Sequence, residues 1–298
     1  MQSRTNNTGY FVAVDGPNGS GKTTVINAIA EKLGLMGYKV KVTREPTNSI
    51  LGEFVRKYAE GHKGLSIACM VTADRYEHIK NEIEPMLYDG NIVITDRYIL
   101  SSLILQRMDG VNADYIMDLN ALIIRPDLQV TIMADVGTLQ KRLSDRAELT
   151  RFEKNNRSDE ELYYMEKGIE ILKKNGISVL EINNCTELDK NVDTIVEYIV
   201  KEVKKCILIN SPIFWDAAAE GENYLSPLGL GYIATYVEKA GIQVEILDAV
   251  KQRKSVEDIV KYIEEKQPDY VGINIFTQNY KLVKAICEQT KVKCEWFI

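Results

Sequence analysis

Apolar positions along the chain fall into short continuous runs, separated by longer stretches in which they recur at helical spacing. The runs at residues 10–14, 39–43, 91–96, 128–133 and 177–182 read as strands. Runs this short, bounded by turn residues, suit parallel strands covered on both faces. Between them, sets such as Val25, Ile26, Ile29 and Leu33 repeat with a helix period. Helices are expected over 51–60, 66–88, two segments reaching about 123, then 136–144, 159–174 and 188–204. Gly61, Gly64, the Asp89-Gly90 pair and Pro126 supply the stops. From residue 206 the pattern starts afresh. Strands are expected at 206–210, 243–247 and 270–275, helices at 228–240, 256–266 and 281–289, and a loop at 215–226. The last residues read as the start of a fourth strand. This alternation predicts an α/β protein. Residues 1–205 would form a parallel sheet with helices on both faces, and residues 206–298 a second, smaller, incomplete flavodoxin-like α/β unit.

The first strand runs directly into Asp15-Gly-Pro-Asn-Gly-Ser-Gly-Lys-Thr-Thr24, and a helical pattern follows. Strand, glycine loop and helix are the context a phosphate-binding P-loop requires. Gly16, Gly19 and Gly21 let the backbone curl so that the N–H groups of Pro17-Asn18-Gly19-Ser20-Gly21 and of the helix start turn toward phosphate oxygens; Pro17, having none, only shapes the turn. Lys22 would reach the outer phosphates, Thr23 would offer a hydroxyl to magnesium, and Thr24 would complete the nucleotide site. Asp96 ends an apolar strand well downstream, the position from which such loops receive a second magnesium ligand. Arg97 follows it, and Arg44 ends another strand. In open α/β sheets ligands bind at the carboxyl ends of strands. Two arginine forks there suggest a phosphorylated acceptor. Such an acceptor is already ionised and needs no general base. A third cluster, Lys141-Arg142 with Arg146 and Arg151, reads either as a solvated charged helix or as a lid that excludes water during phosphoryl transfer.

Composition narrows this picture. The chain has 298 residues, an apolar fraction of 45% and a net charge of -6, which suits two globular units and argues against a non-specific nucleic-acid binder. Five cysteines without a C-x-x-C pair fit a reducing cytoplasm and exclude a simple zinc ribbon. The polar first eight residues suggest no secretory leader, and no apolar run is long enough to cross a bilayer.

Taken in order, Asp15 to Thr24, Thr43-Arg-Glu-Pro46, Ala73-Asp-Arg75 with His78, Asp96-Arg-Tyr98 with Ser101 and Gln106, Arg125-Pro-Asp127, and Arg146-Ala-Glu-Leu-Thr-Arg-Phe-Glu153 resemble the thymidylate kinase family over roughly residues 9 to 204. The resemblance implies transfer of phosphate from ATP, with magnesium, to a nucleoside monophosphate, dTMP first among them. It implies that Arg44 and Arg97 hold the acceptor phosphate and that Arg75 bonds the thymine ring. Arg146 and Arg151 would serve as lid arginines, as in the bacterial-type members whose P-loop has none. The loop 183–187 would lie near adenine, and a homodimer is the family habit. The chain departs from the family in three places. Asn18 stands where an acid touches the acceptor sugar. Val71 replaces the aromatic that stacks on thymine, a change costing about 1 kcal/mol of base affinity. Leu105 replaces a tyrosine linked to deoxyribose selection. Alternatives therefore stay open: a kinase of another or modified nucleotide, a nucleoside kinase, or a non-catalytic nucleotide-binding scaffold.

In the second unit, Ile207-Leu-Ile-Asn-Ser-Pro212, Pro227-Leu-Gly-Leu-Gly231, Val244-Glu-Ile-Leu-Asp248 and Pro268-Asp-Tyr-Val-Gly-Ile-Asn274 are similar to the cobalamin-binding-like domain that precedes many radical S-adenosylmethionine enzymes. The match stops before the glycine-rich turn expected after a fourth strand. The unit contains no histidine to serve as a lower cobalt ligand, so cobalamin is not expected. Trp215 and Tyr224 are candidates for a contact surface or for ordinary loop anchors.

Overall fold

A computed structural model of the chain describes residues 9–144, 151, 157–184, 187–212 and 226–290. The first described element is β1 (Tyr10–Asp15), followed by the P-loop and α1 (Lys22–Leu35). Next come β2 (Val40–Arg44), α2 (Ile50–Ala59), α3 (Leu65–His78), a π-helical turn (Ile79–Ile83), α4 (Glu84–Tyr88) and β3 (Ile92–Asp96). Then α5 (Ile99–Met108), α6 (Ala113–Leu119), β4 (Leu128–Met133), α7 (Val136–Ser144), α8 (Ser158–Lys174), β5 (Val179–Asn183) and α9 (Leu188–Glu202) complete the first half.

These strands form one parallel sheet in the order β2-β3-β1-β4-β5. β1 and β3 lie inside it, and Phe11–Val14 and Ile92–Ile94 have no exposure. Their unbroken apolar runs follow from cover on both faces. β2 is an edge, and its alternating, lysine-bearing sequence keeps that edge soluble. Register sets Val14 of β1 and Arg44 of β2 opposite Asp96 of β3. Three carboxyl ends therefore finish at one level, which is what assembles a site there.

α5 is buried at nearly every position and packs on α8. The helices approach where Gly168 leaves room; a Cβ there would lie 2.6 Å from Leu100 Cδ1. Each buried Leu or Ile in this contact contributes about 1.5–3 kcal/mol. Asp15, at the end of β1, holds the start of α5, accepting from Tyr98 N at 3.1 Å and Ser101 N at 3.0 Å. The helix has no side-chain cap of its own, so the carboxylate satisfies first-turn donors from outside.

The single helix expected over 66–88 is instead three pieces. No glycine or proline interrupts it before Pro85, but the backbone widens to a π-turn at Ile79–Ile83 before α4, which carries Pro85 in its first turn. Proline removes a donor from the ladder, so the hydrogen-bonding pattern must change near it. The strand expected at 270–275 ends at Ile273. The arginine-rich stretch after 144 apart from Arg151 and Arg157, the loop at 215–226 apart from Ser226, and the fourth-strand start fall outside the described residues.

The second unit contains β6 (Lys205–Asn210), α10 (Leu228–Lys239), β7 (Gln243–Asp248), α11 (Val256–Lys266), β8 (Tyr270–Ile273) and α12 (Tyr280–Gln289). Its three-stranded parallel sheet has the order β7-β6-β8. Alternation along β6 sends Ile207 and Ile209 into a core with Leu247, Ile259, Ile263 and Ile286. Cys206 and Leu208 point to the opposite face, against Leu230 and Ala234. Ser255 and Asp258 form a capping box at the start of α11. By its internal contacts the chain divides into Met1–Gly34 with Lys39–Tyr198, and Leu35–Tyr38 with Ile199–Ile298. Among the described residues no helix is long and apolar enough to cross a membrane.

Candidate functional site

The P-loop joins β1 to α1 with Gly19 and Gly21 at φ of 83° and 90°, a conformation that glycine adopts without strain. Gly16 is excluded from bearing a side chain for a different reason: a Cβ would meet Ile132 O at 2.3 Å. Lys22 folds back into the loop and donates to the carbonyls of Gly16 and Pro17, each at 2.9 Å. Burial, reinforced by the charge of Arg97, lowers its pKa to about 7; Asp96, Glu161 and Asp15 oppose that shift. The ammonium is thus stored against neutral carbonyls, where an incoming polyphosphate would be a better partner. Ser20 Oγ is buried in the same loop without a protein partner.

Thr23 Oγ1 donates to Asp96 Oδ2 at 2.9 Å. The other oxygen, Asp96 Oδ1, is buried and lacks a partner. A hydroxyl beside a half-satisfied carboxylate fits magnesium, which takes few protein ligands and completes its shell with water and phosphate oxygens. Among the described residues no cluster of three or more His, Cys, Asp or Glu side chains offers an all-protein metal cage.

Beside this lies a cleft of about 240 Å³ lined by Asn18, Glu45, Arg56, Ile67, Val71, Arg75, Arg97, Ser102, Leu105, Gln106 and their neighbours. Arg97 sits at φ 77°, a region that costs a non-glycine residue energy and is tolerated where neighbours dictate it. Its N–H bonds Val14 O at 2.9 Å. Its guanidinium donates to Ser101 Oγ at 3.1 Å and Asn18 Oδ1 at 2.7 Å. Asn18 in turn donates from its backbone and side chain to Glu161, at 2.7 and 2.9 Å. Glu161, in the first turn of α8, is 3% exposed. The negative charge that Asn18 lacks is therefore supplied by a second element. From sequence, Glu161 is one of three consecutive acids at a helix start, and the ordinary account of such acids is the helix dipole. Only the docking of α8 distinguishes it.

At the far end of the cleft Arg75 is almost wholly buried. It donates to Glu45 Oε2 at 2.9 Å, Asn120 Oδ1 at 2.7 Å, Tyr98 O at 3.1 Å and Ser102 Oγ at 3.1 Å. Four of the five guanidinium N–H groups are thereby occupied. Gln106, also lining the cleft, has a buried carbonyl oxygen without a partner. Val71 and Leu105 lie half-buried on the walls.

Two arginines expected at the phosphates bond protein groups here. Arg44 is exposed and donates to Asn48 Oδ1 at 2.7 Å, and it does not line the cleft. An arginine that the strand-end pattern could not reveal, Arg56 of α2, lines it instead and donates to Pro46 O at 2.7 Å. Arg151 forms a two-pronged pair with Asp109, both bonds 2.8 Å, at the end of α5. Arg146 lies outside the described residues. Arg142, singled out from sequence only as part of a charged run, donates to Ser20 O at 3.2 Å and Asn184 O at 3.0 Å. Asn184 also donates to Ser20 O at 2.8 Å, so the start of the loop 183–187 borders the P-loop. Pro17 shapes the loop, and Thr24 is exposed on α1.

The family model for thymidylate kinase matches residues 14–195. The chain belongs to the thymidylate kinase family. Similar proteins include a "Probable thymidylate kinase" of Caldivirga maquilingensis, 39% identical over 160 residues, which are 51% of this chain and 78% of that protein. Another from Pyrobaculum calidifontis is 40% identical over 149 residues, 48% of this chain and 74% of that protein. A "Thymidylate kinase" of Caldicellulosiruptor saccharolyticus is 39% identical over 143 residues, 45% of this chain and 69% of that protein. As a thymidylate kinase family member the chain is a nucleoside monophosphate kinase. The model of the B12 binding domain matches residues 215–295. That unit holds no histidine, so it presents no imidazole to cobalt.

Proposed function

We propose that the protein transfers the outer phosphoryl group of ATP to dTMP, giving dTDP. The observation that carries the base assignment is that Arg75 and Gln106 line the same cleft. A remaining guanidinium N–H and an orphaned carbonyl oxygen would offer a ring one donor and one acceptor. A thymine or uracil ring offers the complement, a carbonyl oxygen beside an imide N–H. Cytosine reverses that pattern and would leave buried polar groups unpaired. Aliphatic walls at Ile67, Val71 and Leu105 would hold the ring by burial where the family uses an aromatic.

Arg97, with Asn18 and Glu161 behind it, would hold the acceptor phosphate, and Arg56 would close its mouth. Lys22 and the loop N–H groups would hold the donor phosphates. Magnesium, held by Thr23 and Asp96, would neutralise charge between the donor phosphates. Because Ser101 Oγ donates to Asp15 and accepts from Arg97, the acceptor site is braced on the strand that starts the P-loop. Positioning and charge neutralisation of this kind are most of what phosphoryl transfer needs. We assign the catalytic unit to residues 1–205 and the second unit to 206–298, and we expect a cytoplasmic protein that is active as a homodimer.

The test is ADP formation from ATP and magnesium with dTMP, dUMP, dCMP, AMP and GMP. Turnover on dTMP and dUMP at least tenfold above dCMP supports the assignment. Preference for dCMP or a purine discards it while keeping the kinase chemistry.

A further inference from the structure

Behind the base end of the cleft, Glu45 is shared between two partners. Its Oε2 takes the Nε–H of Arg75, and its Oε1 faces His78 Nδ1 at 3.2 Å. On the other side of the ring, Nε2 lies 2.7 Å from Thr43 Oγ1. The same hydroxyl donates to Glu82 Oε2 at 2.8 Å, and Glu82 itself stands 3.7 Å from Nε2. His78 and Arg75 are each 1% exposed, whereas the Glu82 side chain is 39% exposed. Glu82 belongs to the π-helical turn that begins directly after His78, and such turns are frequent at functional sites.

Counting hydrogens decides how this chain is wired. A threonine hydroxyl has one hydrogen, and an ionised carboxylate has none. With Thr43 donating to Glu82, its oxygen is left to accept from Nε2. Nδ1 faces Glu45, whose charge is held by Arg75 at 2.7 Å, so a hydrogen there would also meet an acceptor. A ring with one N–H would aim a lone pair at an acceptor on one side. The groups facing the ring are Glu45 from the loop after β2, Thr43 from β2 and Glu82 from the π-turn; Arg75, on the same helix, is reached only through Glu45.

We propose that His78 is a positioning residue for the acceptor pocket: donating at both ring nitrogens, it fixes Glu45, and Glu45 aims the remaining N–H of Arg75 into the cleft. The proposal rests on the role given to Arg75 above. It places a specificity device outside the cleft, since His78 does not line it. It also explains why a buried histidine is flanked by two carboxylates rather than by apolar side chains, the cheaper choice for stability alone.

The chain has two histidines, which makes the test direct. In a His62→Gln protein a single imidazole remains, and ¹⁵N NMR at pH 7 should report hydrogen on both ring nitrogens. A ring with one N–H overturns the proposal whatever the substrate proves to be. Kinetics form the second arm, run on whichever monophosphate the protein phosphorylates. His78→Gln keeps a donor toward Thr43 and loses the one toward Glu45, so acceptor KM should rise about tenfold with kcat and the KM for ATP nearly unchanged. His78→Asn, which keeps a donor toward Glu45, should recover most of that loss. Equal effects of the two variants, or a fall in kcat in place of a rise in KM, would refute it. If the His78 variants fail to fold, Thr43→Val preserves the shape of the strand. It should shift the Nε2 resonance and raise acceptor KM about threefold; no change in either sinks the idea.

Discussion

The two sheets of this protein end differently at the same edge. Both are parallel, and both gather polar residues at the carboxyl ends of their strands. In the first unit Ser20 Oγ and Asp96 Oδ1 are buried there without a protein partner, Gln106 Oε1 on α5 faces the same shortage at the cleft, and Lys22 rests on loop carbonyls; Arg107 Nη1 and Gln129 Oε1 are unpaired away from the cleft. In the second unit the corresponding groups satisfy one another. Asn210 donates to Asp248, Asn274 donates to Asn210, and Ser211 bonds Asn274 through both backbone and side chain. Among the described residues of that unit no buried side-chain polar atom is left without a partner. An unsatisfied buried polar group is costly to stability. Its persistence at one strand edge and its absence at the other separate a surface arranged for a ligand from one closed on itself.

That contrast is open to direct attack. Removing the stored cation with Lys22→Ala should cut turnover by about a thousandfold, the scale of losing a preorganised electrostatic contact to the transition state, while the melting temperature holds. Residual turnover within a few-fold of the parent would favour a non-catalytic scaffold. In the second unit, Asn274→Ala should act on stability. It strands Ser211 N–H and Asn210 Oδ1, and should cost about 2–3 kcal/mol in denaturant unfolding of that unit, with phosphoryl transfer unaltered. A loss of activity instead would mean that the two strand edges are not distinct in kind. Gln106→Leu should do the reverse in the first unit. Stability should be unchanged or improved, because an orphaned acceptor is replaced by an apolar group, and the KM for dTMP should rise about tenfold.

The mildest expected effect is a proton. With Lys22 near pKa 7 in the free protein, the lysine is largely neutral at pH 8 and largely charged at pH 6. Phosphate needs the charged form. Nucleotide binding should therefore take up close to one proton at pH 8 and almost none at pH 6, and affinity should weaken as pH rises above 7. Calorimetry in two buffers of different ionisation heat measures this uptake. Proton release, or uptake greatest at low pH, would contradict the storage of a depressed lysine in the loop.

Much of the architecture is legible in the residue pattern. β4, α7 and α11 begin and end where their apolar runs do, and the P-loop is legible because its function depends on neighbours in sequence. Glycines, lysine and threonine must follow one another for backbone N–H groups to converge on phosphate, so spacing alone carries the signal. Asp96 is legible for a similar reason, as the acid that ends a buried strand. The stretch at 66–88 reads as one unbroken helix because the π-turn at Ile79–Ile83 holds neither glycine nor proline to mark a break.

The acceptor site is only half visible in the sequence, and the reason is distance along the chain. Asn18 reads as a lost charge until the docking of α8 brings up Glu161, 143 residues away. Arg44 reads as a phosphate ligand because it ends a strand; β2 is the sheet edge, and there its side chain bonds Asn48, which also accepts from Arg56. Arg56 and Glu82 carry no local pattern, and Arg75 and His78 stand out in the sequence only through the family resemblance. By itself the sequence determined the strands, the phosphate loop and the kind of chemistry, because those depend on short-range periodicity and adjacency. Which side chains face the acceptor, and which buried polar atoms remain unpaired, was decided only when helices far apart in sequence packed against the same strand ends.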